Sequence, residues 1–146
     1  MPSNTALHLT KVAFGVDSLE SFVERWRARE GLPPYELTTR YLPKRHAEIA
    51  GPDADPEAGG GSLYWILKHQ LVARSRIVGF GEAEGGRVAI RLDPKLVLVH
   101  GRPKRAHQGW RYLEGTDAPA DLAEGAELDE AMPAGLIGKL SALALI

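Results

Sequence analysis

Cysteine is absent from the 146 residues. Disulfides, thiolate metal ligands and cysteine nucleophiles are therefore excluded together, and the absence fits a reducing compartment. Nor does any apolar run reach the roughly 18 residues that a membrane-spanning helix needs. The amino terminus MPSNTALHLTKVAF has neither a basic start nor a long apolar core. The expectation is a cytoplasmic protein with no membrane partner. Catalytic signatures are missing as well. His8, His46, His69, His100 and His107 show no HxH or HExxH spacing, Ser62 and Ser75 lie outside any GxSxG elbow, and GGGSLYW lacks the Lys-Ser/Thr ending of a phosphate-cradling loop. No metal and no cofactor is expected, and a binding domain is expected ahead of an enzyme.

What is present suffices for one globular domain spanning 1–146, with 44% hydrophobic and 25% charged residues. The net charge of −1 conceals an uneven distribution. Residues 62–112 carry ten basic and three acidic side chains, whereas residues 113–146 carry one basic and seven acidic. A basic middle attracts phosphate or acidic ligands, while a nearly neutral whole argues against strong non-specific DNA binding. The acidic carboxyl-terminal third could equally neutralise the basic middle from within.

Along the chain, residues 6–14 alternate as a strand, with Leu7, Leu9 and Lys11 on one side and His8, Thr10, Val12 and Phe14 on the other. Asp17 and Glu20 have the spacing of a capping box. Leu19, Phe22, Val23 and Trp26 follow at helical intervals, which places Trp26 in the core. ELTTRYL at 36–42 is β-prone, and PKRHAEIAG offers one or two helical turns. Residues 51–61 have the composition of a flexible loop. SLYWILK, LVARSRIVGF, RVAIRLD and LVLVH then read as consecutive strands, with turns at GEAEGG and Asp93-Pro94, and a last helix is expected near Pro133. The fold class is α+β, a curled antiparallel sheet or small barrel with a helix in the amino-terminal half and a carboxyl-terminal helix.

The stretch RPKRAHQGWRYL at 102–113 concentrates cations and aromatics, and LPKRHAE at 42–48 echoes its Pro-Lys-Arg step. A proline-fixed turn displays adjacent cations to phosphate, carboxylate or an RNA backbone, which nominates Lys44, Arg45, Lys104 and Arg105. Arg74 and Arg76 share a strand face, and Arg111 points opposite to Trp110 and Tyr112. Trp65, Gln108 and Trp110 are the candidates for stacking or edge contacts. His46 and His107 are weak candidates for acid-base chemistry.

The opening LHLTKVAFGVDSLE, LPKRHAE, GGSLYWILK followed by VARSRI, and RAHQGWRYL followed by DAPADL, taken in this order, resemble the alphaproteobacterial domain-of-unknown-function family 1489. The resemblance spans nearly the whole chain and implies a bacterial, cytoplasmic source, but it carries no activity. A helix, a curled sheet and a strand bearing YWxxK are also similar to the PUA-like small barrels, which include RNA-binding and modified-base-binding domains. That likeness favours a binding module over a catalyst.

The leading expectation is therefore a non-catalytic domain for an anionic ligand, RNA or a nucleotide, and removing charge at Arg74 and Arg76 should weaken binding. A small enzyme acting on an anionic metabolite, with His46 or His107 moving a proton, is the second. A structural subunit that binds a protein partner through complementary basic and acidic surfaces is the third.

Overall fold

The computed structural model describes residues 6–50 and 60–122. The helix expected near Pro133 and most of the loop expected at 51–61 lie outside the described residues. Six strands form one sheet: β1 (Leu7–Val12), β2 (Tyr35–Thr39), β3 (Ser62–Leu67), β4 (Gln70–Glu82), β5 (Val88–Pro103) and β6 (Trp110–Glu114). Two helices accompany it, α1 (Leu19–Arg27) and α2 (His46–Ala50). The class is α+β.

The expected purely antiparallel sheet is corrected to a mixed one. Its strand order is β2-β5-β4-β3-β1-β6, and β1 runs parallel to β3, Leu9 opposite Leu63 and Lys11 opposite Trp65. The remaining pairs are antiparallel. A parallel pair needs a long crossover, and α1, β2 and α2 lie between β1 and β3 in the chain. Burial explains why these strands are central: every residue of β3, and Leu7 to Thr10 of β1, is buried. A strand covered on both faces needs apolar or satisfied side chains at every position.

β3 and β4 join through Lys68 and His69, both at positive φ (50° and 63°), the conformation of a tight hairpin turn. The turn expected at Asp93-Pro94 is corrected: β5 runs through it. Ser75 pairs with Leu96 and Ile77 with Leu92, so Asp93, Pro94 and Lys95 bulge opposite the single residue Arg76. The Asp93 carboxylate accepts the Lys95 N–H at 2.9 Å. Proline is tolerated at a bulge because no ladder donor is required of it there. Further shifts fall between Leu71 and Ala73, between Ile77 and Gly79, and at Trp65/Ile66. Bulges bend strands and add twist, and here the two edges of the sheet approach. Trp110 Nε1–H on β6 donates to Thr39 Oγ1 on β2 at 3.1 Å. The sheet is open in its backbone pairing but curled.

α1 starts at Ser18, whose Oγ accepts the Ser21 N–H at 3.1 Å, so the cap is Ser18 and not the expected Asp17. Leu19, Phe22, Val23 and Trp26 are all buried, as the spacing predicts. Phe22 and Trp26 meet Trp65 at ring-centroid distances of 5.4 and 5.9 Å, and Trp26 meets Tyr35 at 5.5 Å. α1 thus packs on the concave side of the sheet, where the larger core forms. A smaller core of Tyr64, Ile66, Leu71, Val99 and Leu113 forms on the convex side. The segment after β6 reaches that side: Val99 bridges Asp121, and Ala118 packs on the cluster.

Candidate functional site

β1 alternates, and its concave-side residues include Leu9 and Lys11. Register places Lys11 opposite Trp65 on β3 and opposite Trp110 on β6, so one lysine stands between two tryptophans on neighbouring strands. Its ammonium lies 5.1 Å from the centroid of the Phe14 ring. Burial lowers the Lys11 pKa, because the charged form loses hydration. Lys11 makes no ion pair with any described residue.

Two hollows meet at this side chain. The larger, about 490 Å³, opens between the edge strands, where Thr39 and Arg40 of the β2 end face Gln108, Gly109 and Trp110 at the start of β6. Arg87, at the start of β5, completes that wall. The smaller, about 170 Å³, lies under α1 between Phe22, Trp26, Tyr35 and Trp65, with Arg25 and Arg29 at its rim. Lys11 and Leu37 line both. Among the described residues no aspartate or glutamate lines either hollow, so five arginines or lysines converge without a carboxylate to answer them. Two of those are already engaged: Arg25 donates to the Gly15 carbonyl at 3.0 Å, and Arg29 stacks 4.3 Å above Tyr35. Lys11, Arg40 and Arg87 are the cations left facing the cleft.

The other expected cations have different surroundings. Arg45 binds Glu48 through Nε and Nη2, both at 2.8 Å, and Glu114 at 3.0 Å, while its backbone N–H donates to the Tyr112 hydroxyl at 3.0 Å. Hydrogen bonds that its guanidinium donates to the two carboxylates hold its pKa above the ordinary arginine value, and the contact with Glu48 holds that carboxyl down. Arg74 forms a bidentate pair with Asp121, both contacts at 2.7 Å, and donates to Ser62 Oγ at 2.9 Å. Both arginines are thus answered by acids, Arg45 by Glu48 and Glu114, and Arg74 by Asp121. Lys44, Arg76, Arg105 and Arg111 are exposed, and Lys104 is half-buried. Of the expected ring and edge contacts, Gln108 and Trp110 line the cleft. Trp65 is 5% exposed and donates to Ser75 Oγ at 2.9 Å, so it presents its ring to the core and the smaller hollow.

The two histidines considered for proton transfer have separate environments. His46 packs edge-on against Phe80 at 6.0 Å. His107 Nε2 lies 2.7 Å from Thr10 Oγ1, and its pKa is lowered, first by burial and then by the charges of Arg111, Lys104 and Lys11. His8 is buried, and its Nδ1 accepts the Ser62 N–H at 2.9 Å. Burial, reinforced by Arg74, lowers its pKa to about 4.

Sequence reasoning missed Lys11, Arg40 and Arg87. Arg40 and Arg87 stand in no motif, and only the pairing of β2 with β5 and the curl that brings β6 to Thr39 gather them. Lys11 did carry a signal. It occupies the same side of β1 as Leu7 and Leu9, and a charge at a core-facing strand position calls for a partner or a cavity.

The family model described as "Protein of unknown function (DUF1489)" matches residues 9–146. The chain belongs to the DUF1489 family. The match includes Lys11, β2 and β6, so both walls of the cleft lie within the matched residues. No curated protein and no solved structure matches the chain. No helix among the described residues is long and apolar enough to cross a membrane.

Proposed function

We propose that this DUF1489 protein is a non-catalytic binding domain whose ligand is a nucleotide unit, either within single-stranded RNA or free, held in the cleft between β2 and β6. The observation that carries the reading is the concave-side Lys11, set beside Trp110 and facing Arg40 and Arg87 with no carboxylate among the described lining residues. A flat base suits the indole face, Gln108 offers an amide to a base edge, and the cations suit phosphate. A cleft of about 490 Å³ has the size of a small-molecule site and is too confined for a duplex. The curl of the sheet supports a likeness to PUA-like barrels as part of the same proposal. Cytoplasmic residence follows from an RNA ligand and belongs to the proposal too.

The test is fluorescence anisotropy of a labelled single-stranded oligoribonucleotide across a salt series. If three cations meet phosphates, the slope of log affinity against log salt is about −2, at roughly 0.7 per phosphate. Replacing both Arg40 and Arg87 by Gln should weaken binding about ten-fold or more. Salt-insensitive affinity, or affinity indifferent to the double replacement, rejects this site. Protein purified from its own host should carry RNA at moderate salt if RNA is the source of the nucleotide.

A further inference from the structure

We propose that Lys11 is a covalent-capture residue, its amine forming a Schiff base with a small phosphate-bearing aromatic aldehyde that enters the cleft. The inference deepens the cleft reading above and rests on it.

Five observations support this role. Among the described residues Lys11 is the one cleft-lining cation that is an amine, since its companions Arg40 and Arg87 carry guanidiniums. It sits at the junction of the two hollows, lining the mouth between the edge strands and the aromatic hollow under α1. A reagent bound at the mouth therefore has the amine at its inner end and cations at its outer end. No ion pair with a described carboxylate holds Lys11 as ammonium. Burial between Trp65 and Trp110 favours the neutral amine, as the lowered pKa reflects. Phe14, whose ring lies beside the ammonium, is exposed, so the amine stands near solvent and not deep in the core.

The chemistry balances without any further reagent. The ammonium first gives one proton to water. The free amine nitrogen attacks the carbonyl carbon, forming a C–N bond while the carbonyl π pair moves to oxygen. Proton transfer from nitrogen to that oxygen gives a neutral carbinolamine. Loss of hydroxide, and of the last N–H proton, releases one water and leaves the C=N bond. The aldehyde ring would lie on Trp110 and its phosphate would meet Arg40 and Arg87, which is the geometry argued for a nucleotide base and phosphate.

The probe is pyridoxal 5′-phosphate, used on the full chain at one equivalent and trapped with borohydride, whose hydride reduces the imine to a secondary amine. Peptide mapping then compares Lys11 with the other five lysines of the sequence. The expected result is labelling of Lys11 about ten-fold or more above any other lysine, a level that a desolvated, cation-flanked amine supports. Pyridoxal, which lacks the phosphate, should label it far less. Lys11→Arg should lose the adduct. Labels spread over the lysines in proportion to their exposure, or equal labelling by pyridoxal, overturn the inference, and binding of RNA through Arg40 and Arg87 would survive that outcome. Selective labelling that RNA fails to compete would instead keep the inference and remove the nucleotide from the cleft.

Discussion

The convex face of the sheet and the cleft between its edges both gather arginines, and among the described residues a carboxylate answers Arg74 on the convex face but none lines the cleft. On the convex face, β4 lifts Arg74 toward the segment after β6, and Asp121 arrives to meet it with two bonds of 2.7 Å. Arg102 donates to the Asp117 carbonyl at 2.8 Å on the same segment. In the cleft, Lys11, Arg40 and Arg87 face indole, amide and hydroxyl groups. Acidic sequence following a basic stretch does neutralise it, but only where the chain folds back. A cation's role therefore depends on what the topology places opposite it.

The two sheet tryptophans sharpen that contrast most strongly. Trp65→Ala removes a ring that touches Phe22, Trp26 and the Ser75 hydroxyl, and should cost about 3 to 5 kcal/mol in a denaturant titration. Trp110→Ala removes a half-buried ring that meets Tyr112 and Thr39 and packs at the margin of the larger core. It should cost about 1 kcal/mol of stability while weakening oligoribonucleotide binding about ten-fold. Equal stability losses for the two would break the distinction between core and cleft.

A second effect belongs to the convex face alone. His8 titrates near 4 in the folded protein against 6.5 for the ordinary group. Between these values the unfolded chain binds a proton that the folded chain refuses, so stability falls as pH drops from about 6.5 to about 4 and is fully present above that window. The shift corresponds to about 3 kcal/mol. Chemical denaturation at pH 7 and pH 4 should show this loss, and His8→Gln should flatten that part of the profile whatever its stability at pH 7. An unchanged profile in the variant would remove His8 as the cause.

Much of this was legible in the sequence, for local reasons. The apolar spacing of α1 and the alternation of β1 depend on neighbours within one element, and both survive in the structure. Asp93-Pro94 misleads because a proline normally stops a ladder, and only the bulge opposite Arg76 lets β5 continue. The parallel pairing of β1 with β3 joins segments more than fifty positions apart, and no periodicity within either strand encodes a partner at that distance. The cleft inherits this opacity. Gln108 and Trp110 could be nominated from an aromatic-basic stretch, whereas Arg40 and Arg87 become neighbours only after two edges of a sheet approach.

The finest test crosses the two regions with one pair of substitutions. Arg74→Gln removes a charge that Asp121 compensates, where the arginine side chain is 23% exposed and its partner 43%. Partial exposure screens the pair, so the cost should be about 1 kcal/mol, and the salt slope of RNA binding should not move. Arg87→Gln removes an exposed charge with no carboxylate among the described residues of its cleft, so stability should hold within about 0.5 kcal/mol. Its salt slope should become shallower by about 0.7, the share of one phosphate on a single strand. If Arg74→Gln changed the slope instead, phosphate would be competing with Asp121 on the convex face. The acidic segment would then be a displaceable cover and not a fixed part of the fold.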